Sequence, residues 1–280
     1  MSKSPLLLIL LMAACDGSKP TEEEKQAQPD PAVMTPAAPP TKLSAEELAA
    51  AAQNVGLVPS PVETQKALEK AGISSGISKL VPERPFKLNV DNKDVVAVRT
   101  GVVLADALLT VKDAPKEKLI ERMNLVKTGM AAVGAGADIQ RTLDDLIARI
   151  QNDGVTRDNL IKELDELQGA VVPEIKYEAG DQVLPLIQAG SWLAGSNLVA
   201  TAILASSKPE AGSVLLRQPQ VVEYFQRYVK VEGTTRAPSD VLTQLDSSLA
   251  TLLEIAKKRA ITIDDITVVK STTDSVLSLL

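Results

Sequence analysis

The chain has 280 residues, a net charge of -6, no His, one Cys and only 2% aromatic residues. The missing His excludes Ser-His and Cys-His nucleophile pairs, and the single Cys excludes an internal disulfide or a Cys cluster for zinc or iron–sulfur. The acidic balance argues against nucleic acid as a partner. With so few aromatic residues the core must consist of Leu, Val, Ile and Ala, which favours packed helices. We therefore expect an all-α protein that is not an enzyme and holds no metal or cofactor.

The first fifteen residues read MSKSPLLLILLMAAC and have the parts of an export signal. Lys3 supplies a short positive region, and an apolar run follows from residue 5 to residue 12. About 20 apolar residues are needed to span a bilayer as a helix, so this run is too short for a span and has the length of a secretory signal core.

The end of this segment, Met12 to Cys15, resembles the lipobox of bacterial lipoproteins: an aliphatic residue, two small residues and then Cys. The resemblance implies that residues 1–14 are a cleaved signal peptide and that acylated Cys15 anchors an exported, periplasm-facing chain to a membrane. Asp16 resembles the enteric signal for retention in the inner membrane, but the choice between inner and outer membrane stays open. The alternative is an ordinary cleaved signal with an unmodified Cys.

Residues 15–42 are rich in Pro, Ala, Glu and Gln and contain few large apolar side chains. Such a segment cannot bury enough apolar surface to offset the entropy of ordering, and its prolines favour an extended chain. We expect a disordered tether between lipidated Cys15 and a helical domain that covers residues 43–280.

Helix signals recur throughout the domain. The pattern of caps and apolar stripes predicts helices that begin at Ser44, Ser60, Asp91, Pro115, Asp138, Thr156, Gln182, Pro219, Ser239 or Asp240, and Thr262. Residues 73–90 read as an irregular connection. We see no alternating strands joined by a turn signal. The expected fold is therefore an all-α multi-helix bundle.

Residues 91–172 and 180–280 share short motifs in the same order, beginning with Gly101 and Gly190 in similar apolar segments. This similarity suggests an internal duplication, with two related four-helix units packed as one domain. Gly at both positions would let another backbone pass closely. The alternative is chance similarity among Leu- and Ala-rich helices.

The segment 182–207, which lies between Asp181 and Lys208, contains no charged side chain. The segment is long enough to span a membrane, but it contains several polar residues and a proline near its start. We favour a helix buried on all sides inside the bundle.

Three groups of side chains are candidates for chemistry. Arg99 and Asp106 share a helix face, and we favour a boundary ion pair, or two solvated ends on the exposed stripe, over a pocket-lining pair. Helix caps and solvated faces explain the carboxylates better than acid–base work or calcium binding: Asp144, Asp145, Glu163, Asp165, Glu166, Asp264 and Asp265. The aromatic residues Tyr177, Trp192, Tyr224, Phe225 and Tyr228 are the best candidates for a binding surface, but we favour packing in the core or at its edge.

The sequence thus predicts a lipid-anchored, non-enzymatic helical domain of a bacterial envelope, with the membrane and other proteins as partners. The alternative is a binding protein for a small apolar ligand held between the two helical units. A cavity lined by Gly101, Gly190 and Trp192 would support that alternative.

Overall fold

The computed structural model describes residues 58–73, 76–164, 166–167, 175 and 182–280. Within these residues it contains ten α-helices and no strand, so the prediction of an all-α multi-helix bundle is confirmed. The signal peptide, Cys15, the tether and the helix expected from Ser44 lie outside the described residues.

The helices follow one another with short connections. Their bounds are α1 Pro61–Lys70, α2 Lys93–Leu108, α3 Lys116–Val133, α4 Ala137–Gln151, α5 157–164, α6 Val183–Ser206, α7 Gly212–Leu215, α8 Pro219–Glu232, α9 Ser239–Ala256 and α10 Ile263–Leu277. Short 3-10 turns lie at Ile77–Lys79, Pro209–Ala211 and Gly233–Thr235.

Local capping explains several of the helix starts. Ser60 forms the predicted capping box before α1, and Thr262, which the sequence predicts as a cap, forms a capping box with Asp265 before α10. Two predicted caps are wrong. Helix α2 is capped by Asn92 instead of Asp91, because the Asn92 side chain accepts the first free backbone N–H groups. Helix α9 starts directly after Pro238 without a side-chain cap.

The centre of the domain is the crossing of α2 and α6, where Gly101 and Gly190 face the opposite helix. A Cβ atom on Gly101 would lie 2.7 Å from the backbone nitrogen of Ser191, and one on Gly190 would lie 2.8 Å from the carbonyl carbon of Val98. Since real Cβ atoms essentially never come within 3.0 Å of such atoms, only glycine allows this separation. Both glycines therefore lie where another backbone passes closely, as expected.

Two hydrophobic clusters surround this crossing, and both central helices contribute to each. One cluster joins α2 to α3, α4 and α5, and the other joins α6 to α8, α9 and α10. Helix α3 packs along α2, and α10 packs along α6. These neighbours come from different places in the two predicted units, so the internal duplication stays a prediction.

Helix α6 is long and apolar enough to cross a membrane by length and composition, and among the described helices it alone meets that criterion. Of its most apolar window, 61% is buried inside the bundle. The core helix of a soluble protein has the same properties, and burial on several sides explains the lack of a charged face.

Candidate functional site

A cavity of about 300 Å³ lies beside the central crossing. Its walls come from the first turns of α2, from α6, α8 and α9, and from the end of α10. Most of the wall consists of apolar side chains: Val95, Val98, Leu186, Ala189, Leu193, Phe225, Val229, Val241, Leu242, Leu245, Leu249, Leu252 and Val276. The size and lining are those of a pocket for a small apolar molecule.

Aromatic side chains from α6 and α8 form one wall. The rings of Trp192 and Phe225 lie 5.2 Å apart, and Tyr224 meets the same Phe225 edge-on at 5.1 Å. The indole N–H of Trp192 donates to Oε1 of Gln218 at 2.9 Å. Because its polar atom is satisfied outside the cavity, Trp192 can present its apolar body to the interior. The aromatic cluster therefore serves packing, and its members Trp192 and Phe225 also line the cavity.

Polar side chains gather at one edge of the cavity. Arg236 follows α8, and its Nη1 lies 2.8 Å from Oδ2 of Asp94 at the start of α2. The Arg236 Nε lies 3.5 Å from a carboxylate oxygen of Glu232. The Arg236 side chain is only 18% exposed, so the Asp94 pair lies partly sheltered from solvent. This pair ties the start of α2 to the end of α8 beside the cavity.

Tyr228 completes the polar edge from α8. Its hydroxyl oxygen is buried and has no hydrogen-bond partner among the residues that the structure describes. Burial raises the pKa of the Tyr228 phenol above its usual value, so it stays protonated at neutral pH. Tyr228 therefore lines the cavity with its ring, while its hydroxyl is enclosed by protein atoms.

The sequence placed Gly101, Gly190 and Trp192 around the expected cavity, and only Trp192 lines the one that the structure contains. The two glycines face the opposite backbone at the crossing and leave no room there. The cavity is formed mainly by α6, α8 and α9, closed on one side by the start of α2.

Arg99 and Asp106 do not pair with each other, which corrects the expected boundary ion pair. Asp106 is buried and accepts from Nη1 of Arg84 at 2.7 Å. Arg99 donates to the backbone carbonyl of Lys87 at 2.7 Å and to that of Leu280. Both side chains contact the segment before α2, whereas the prediction considered only residues on α2 itself.

Burial raises the pKa of the Asp106 carboxyl, and the Arg84 guanidinium opposes that rise. The pair fastens the irregular segment before α2 onto that helix. Neither residue lines the apolar cavity, and we assign the pair a structural role.

The carboxylates that the sequence singled out mostly form caps and surface ion pairs. Asp144 pairs with Lys127, while Asp145 and Glu163 both approach Arg149.

In α10, Asp265 accepts from the backbone N–H of Thr262 and pairs with Lys258 at 2.5 Å. Asp165 and Tyr177 lie outside the described side chains. Within the described ranges, no three His, Cys, Asp or Glu side chains lie close enough to hold a metal ion.

A second, smaller cavity of about 110 Å³ lies in the other hydrophobic cluster, between α2, α3, α4 and α6. Its wall is mostly apolar, and the polar side chains Ser60, Gln188 and Ser191 also line it. Of these two cavities, the one beside α8 and α9 has more room and the aromatic wall of Trp192 and Phe225, so it is the better candidate site.

Sequence reasoning missed Asp94 and Arg236, which lie 142 positions apart and meet only in the folded chain. It named Trp192, Phe225 and Tyr228, because aromatic side chains are rare here and three of them cluster on α8. No family model, no curated protein and no solved structure matches this chain, so its function is inferred from this geometry.

Proposed function

We propose that this chain is a non-enzymatic binding protein, anchored through lipidated Cys15 to a membrane of a bacterial envelope, that holds a small apolar ligand. The observation that carries the proposal is the cavity of about 300 Å³ between α2, α6, α8, α9 and α10. Small-molecule sites typically combine an apolar wall with a few convergent polar groups, and this cavity has that composition.

The cavity is partly open to solvent, and several of its apolar lining side chains are only half-buried, Val95, Val98 and Leu186 among them. A bound apolar molecule would remove this lining from water. Burial of apolar surface contributes about 25 cal/mol per Å².

The N-terminal segment supports a location of the cavity close to a membrane. The lipobox resemblance of Met12 to Cys15 supports an acylated anchor, and residues 15–42 supply a spacer from the membrane. An apolar molecule that leaves a bilayer needs shelter from water, and a tethered domain with an apolar cavity provides it close to the source.

The test uses N-phenyl-1-naphthylamine, an uncharged apolar dye that becomes fluorescent away from water. The protein is the full chain with Cys15→Ser, so that no attached acyl chain competes for the cavity. Trp192 is the single Trp of the chain and lines the cavity, so its emission should fall as the dye binds.

The variant Ala189→Leu tests whether the dye binds in this cavity. The added side chain projects into the cavity and should weaken dye binding, while stabilising the protein by about 0.5–2 kcal/mol through cavity filling. The matched control is Ala132→Leu on the exposed surface of α3, which should leave dye binding unchanged. Equal dye affinity in the parent protein and the Ala189 variant would refute the proposal.

A further inference from the structure

The polar edge of the cavity carries more acid than base. Asp94 and Arg236 both line the cavity, and Oδ2 of Asp94 lies 2.8 Å from Nη1 of Arg236. A second carboxylate, that of Glu232, lies 3.5 Å from Nε of the same Arg236. Two carboxylates therefore share one guanidinium, and one negative charge at this edge is not compensated within the group.

This negative charge lies where solvent screens it only in part. The side chain of Arg236 is 18% exposed, and those of Asp94 and Glu232 are 34% and 36% exposed. Charges that are partly buried are screened less than charges on an open surface. The edge therefore repels an anionic head group, attracts a cationic one and gives no electrostatic gain to an uncharged one.

The ring of Tyr228 adds to the preference for a cation. It lines the cavity, and the phenol lies close enough to Asp94, Glu232 and Arg236 to feel their charges. The electron-rich face of an aromatic ring attracts a cation within about 6 Å of the ring centre, and ammonium ligands are commonly bound in this way. An aromatic side chain beside an excess of carboxylate is thus suited to an amine.

We infer that the cavity takes an amphiphile with an apolar tail and a cationic amine head group, with the tail against the apolar wall and the head group at the edge formed by Asp94, Glu232 and Tyr228. This inference rests on the proposed function and adds the class of ligand. The apolar wall supplies most of the affinity, and the acidic edge supplies the preference between head groups.

The experiment compares three molecules with the same tail: decylammonium, decanol and decanoate. Each displaces N-phenyl-1-naphthylamine from the full chain with Cys15→Ser at neutral pH, and the recovery of Trp192 emission gives its affinity. We expect decylammonium to bind most tightly and decanoate least tightly. Glu232→Gln removes the excess negative charge and leaves the pair of Asp94 with Arg236 in place. It should weaken decylammonium binding by about 2- to 5-fold, the range of one partly exposed ion pair, and leave decanol binding unchanged.

Glu223→Gln is the matched control. Glu223 lies on the same helix α8, about two and a half turns earlier and therefore on the opposite side. It pairs with Lys257 at 2.8 Å and does not line the cavity. Its loss of charge should leave the affinity for decylammonium unchanged. Neither substitution should change the affinity for the uncharged dye, which also shows that the cavity is intact in both variants.

The outcomes separate the two proposals. If the dye does not bind in the cavity, the proposed function fails and this inference fails with it. If the dye binds but decylammonium binds no more tightly than decanol or decanoate, only the head-group inference is overturned. An equal affinity for decylammonium in the Glu232 and Glu223 variants also overturns it, whatever the order of the three molecules.

Discussion

Replacing Gly190 with Ala should destabilise the domain, although Ala is normally the better residue in a helix. The new methyl group would lie 2.8 Å from the carbonyl carbon of Val98 and closer still to its oxygen. The obstacle is backbone, so no rotamer change relieves the clash, and α2 and α6 must move apart. Overpacking costs about 1–3 kcal/mol and occasionally more, and the fixed obstacle places this site at the upper end.

The helix-propensity gain of Ala over Gly is about 0.5–1 kcal/mol, so we expect a net loss of about 2 kcal/mol. Gly195 on the same helix provides the matched control. A Cβ atom there meets only Cδ1 of Leu109, at an ordinary 3.8 Å. Gly195→Ala should therefore stabilise the protein by about 0.5–1 kcal/mol. The two substitutions have the same chemistry and opposite expected signs.

Urea denaturation followed by far-UV circular dichroism measures both free energies of unfolding. Gly101→Ala should behave like Gly190→Ala, because the two glycines make reciprocal contacts. The double variant should lose less than the sum of the single losses, since one methyl group already separates the helices. A Gly190 variant at least as stable as the parent would refute the close-crossing argument.

Two further predictions concern the buried ion pair and the anchor. Arg84→Met should destabilise by about 3 kcal/mol at neutral pH, because buried Asp106 then loses its hydrogen-bonded guanidinium and keeps only the more distant charge of Arg122. Without the guanidinium, the pKa of Asp106 in the folded protein rises further above its value in the unfolded chain. The loss of stability should therefore shrink as pH falls through the pKa of the folded protein. A loss of stability that does not depend on pH, measured by thermal denaturation, would contradict this. Cys15→Ser should abolish incorporation of a fatty-acid analogue in metabolic labelling, and unchanged labelling with membrane retention would rule out the lipobox interpretation.

Helix positions could be predicted because their signals are local. Helix α4 was expected over residues 138–152 and is observed at Ala137–Gln151, with the predicted apolar stripe from Ile139 to Ile150 buried. Capping boxes at Ser60 and Thr262 likewise involve residues three positions apart. Where neighbouring residues compete for one role, as Asp91 and Asn92 do, local reasoning selected the wrong cap.

The cavity could be predicted only in part because it depends on long-range packing. The scarcity of aromatic residues drew attention to Trp192 and Phe225, but no local pattern brings Asp94 to Arg236. The expected ion pair of Arg99 with Asp106 was wrong for the same reason: the partner of Asp106 comes from the irregular segment before α2. Spacing along one helix does not reveal a neighbour from another part of the chain.

The close crossing of α2 and α6 and the cavity beside it share residues. Val98 touches Gly190 through its carbonyl group and also lines the cavity, and Ala189 is the next residue on the cavity wall. A methyl group at Gly190 that separates α2 from α6 must therefore open the cavity wall, and a bound molecule loses contacts on that side. We expect Gly190→Ala, wherever it still folds, to weaken binding of N-phenyl-1-naphthylamine. Gly195→Ala should leave it unchanged, because Gly195 does not line this cavity; equal affinities in the two variants would show that the crossing does not shape the site.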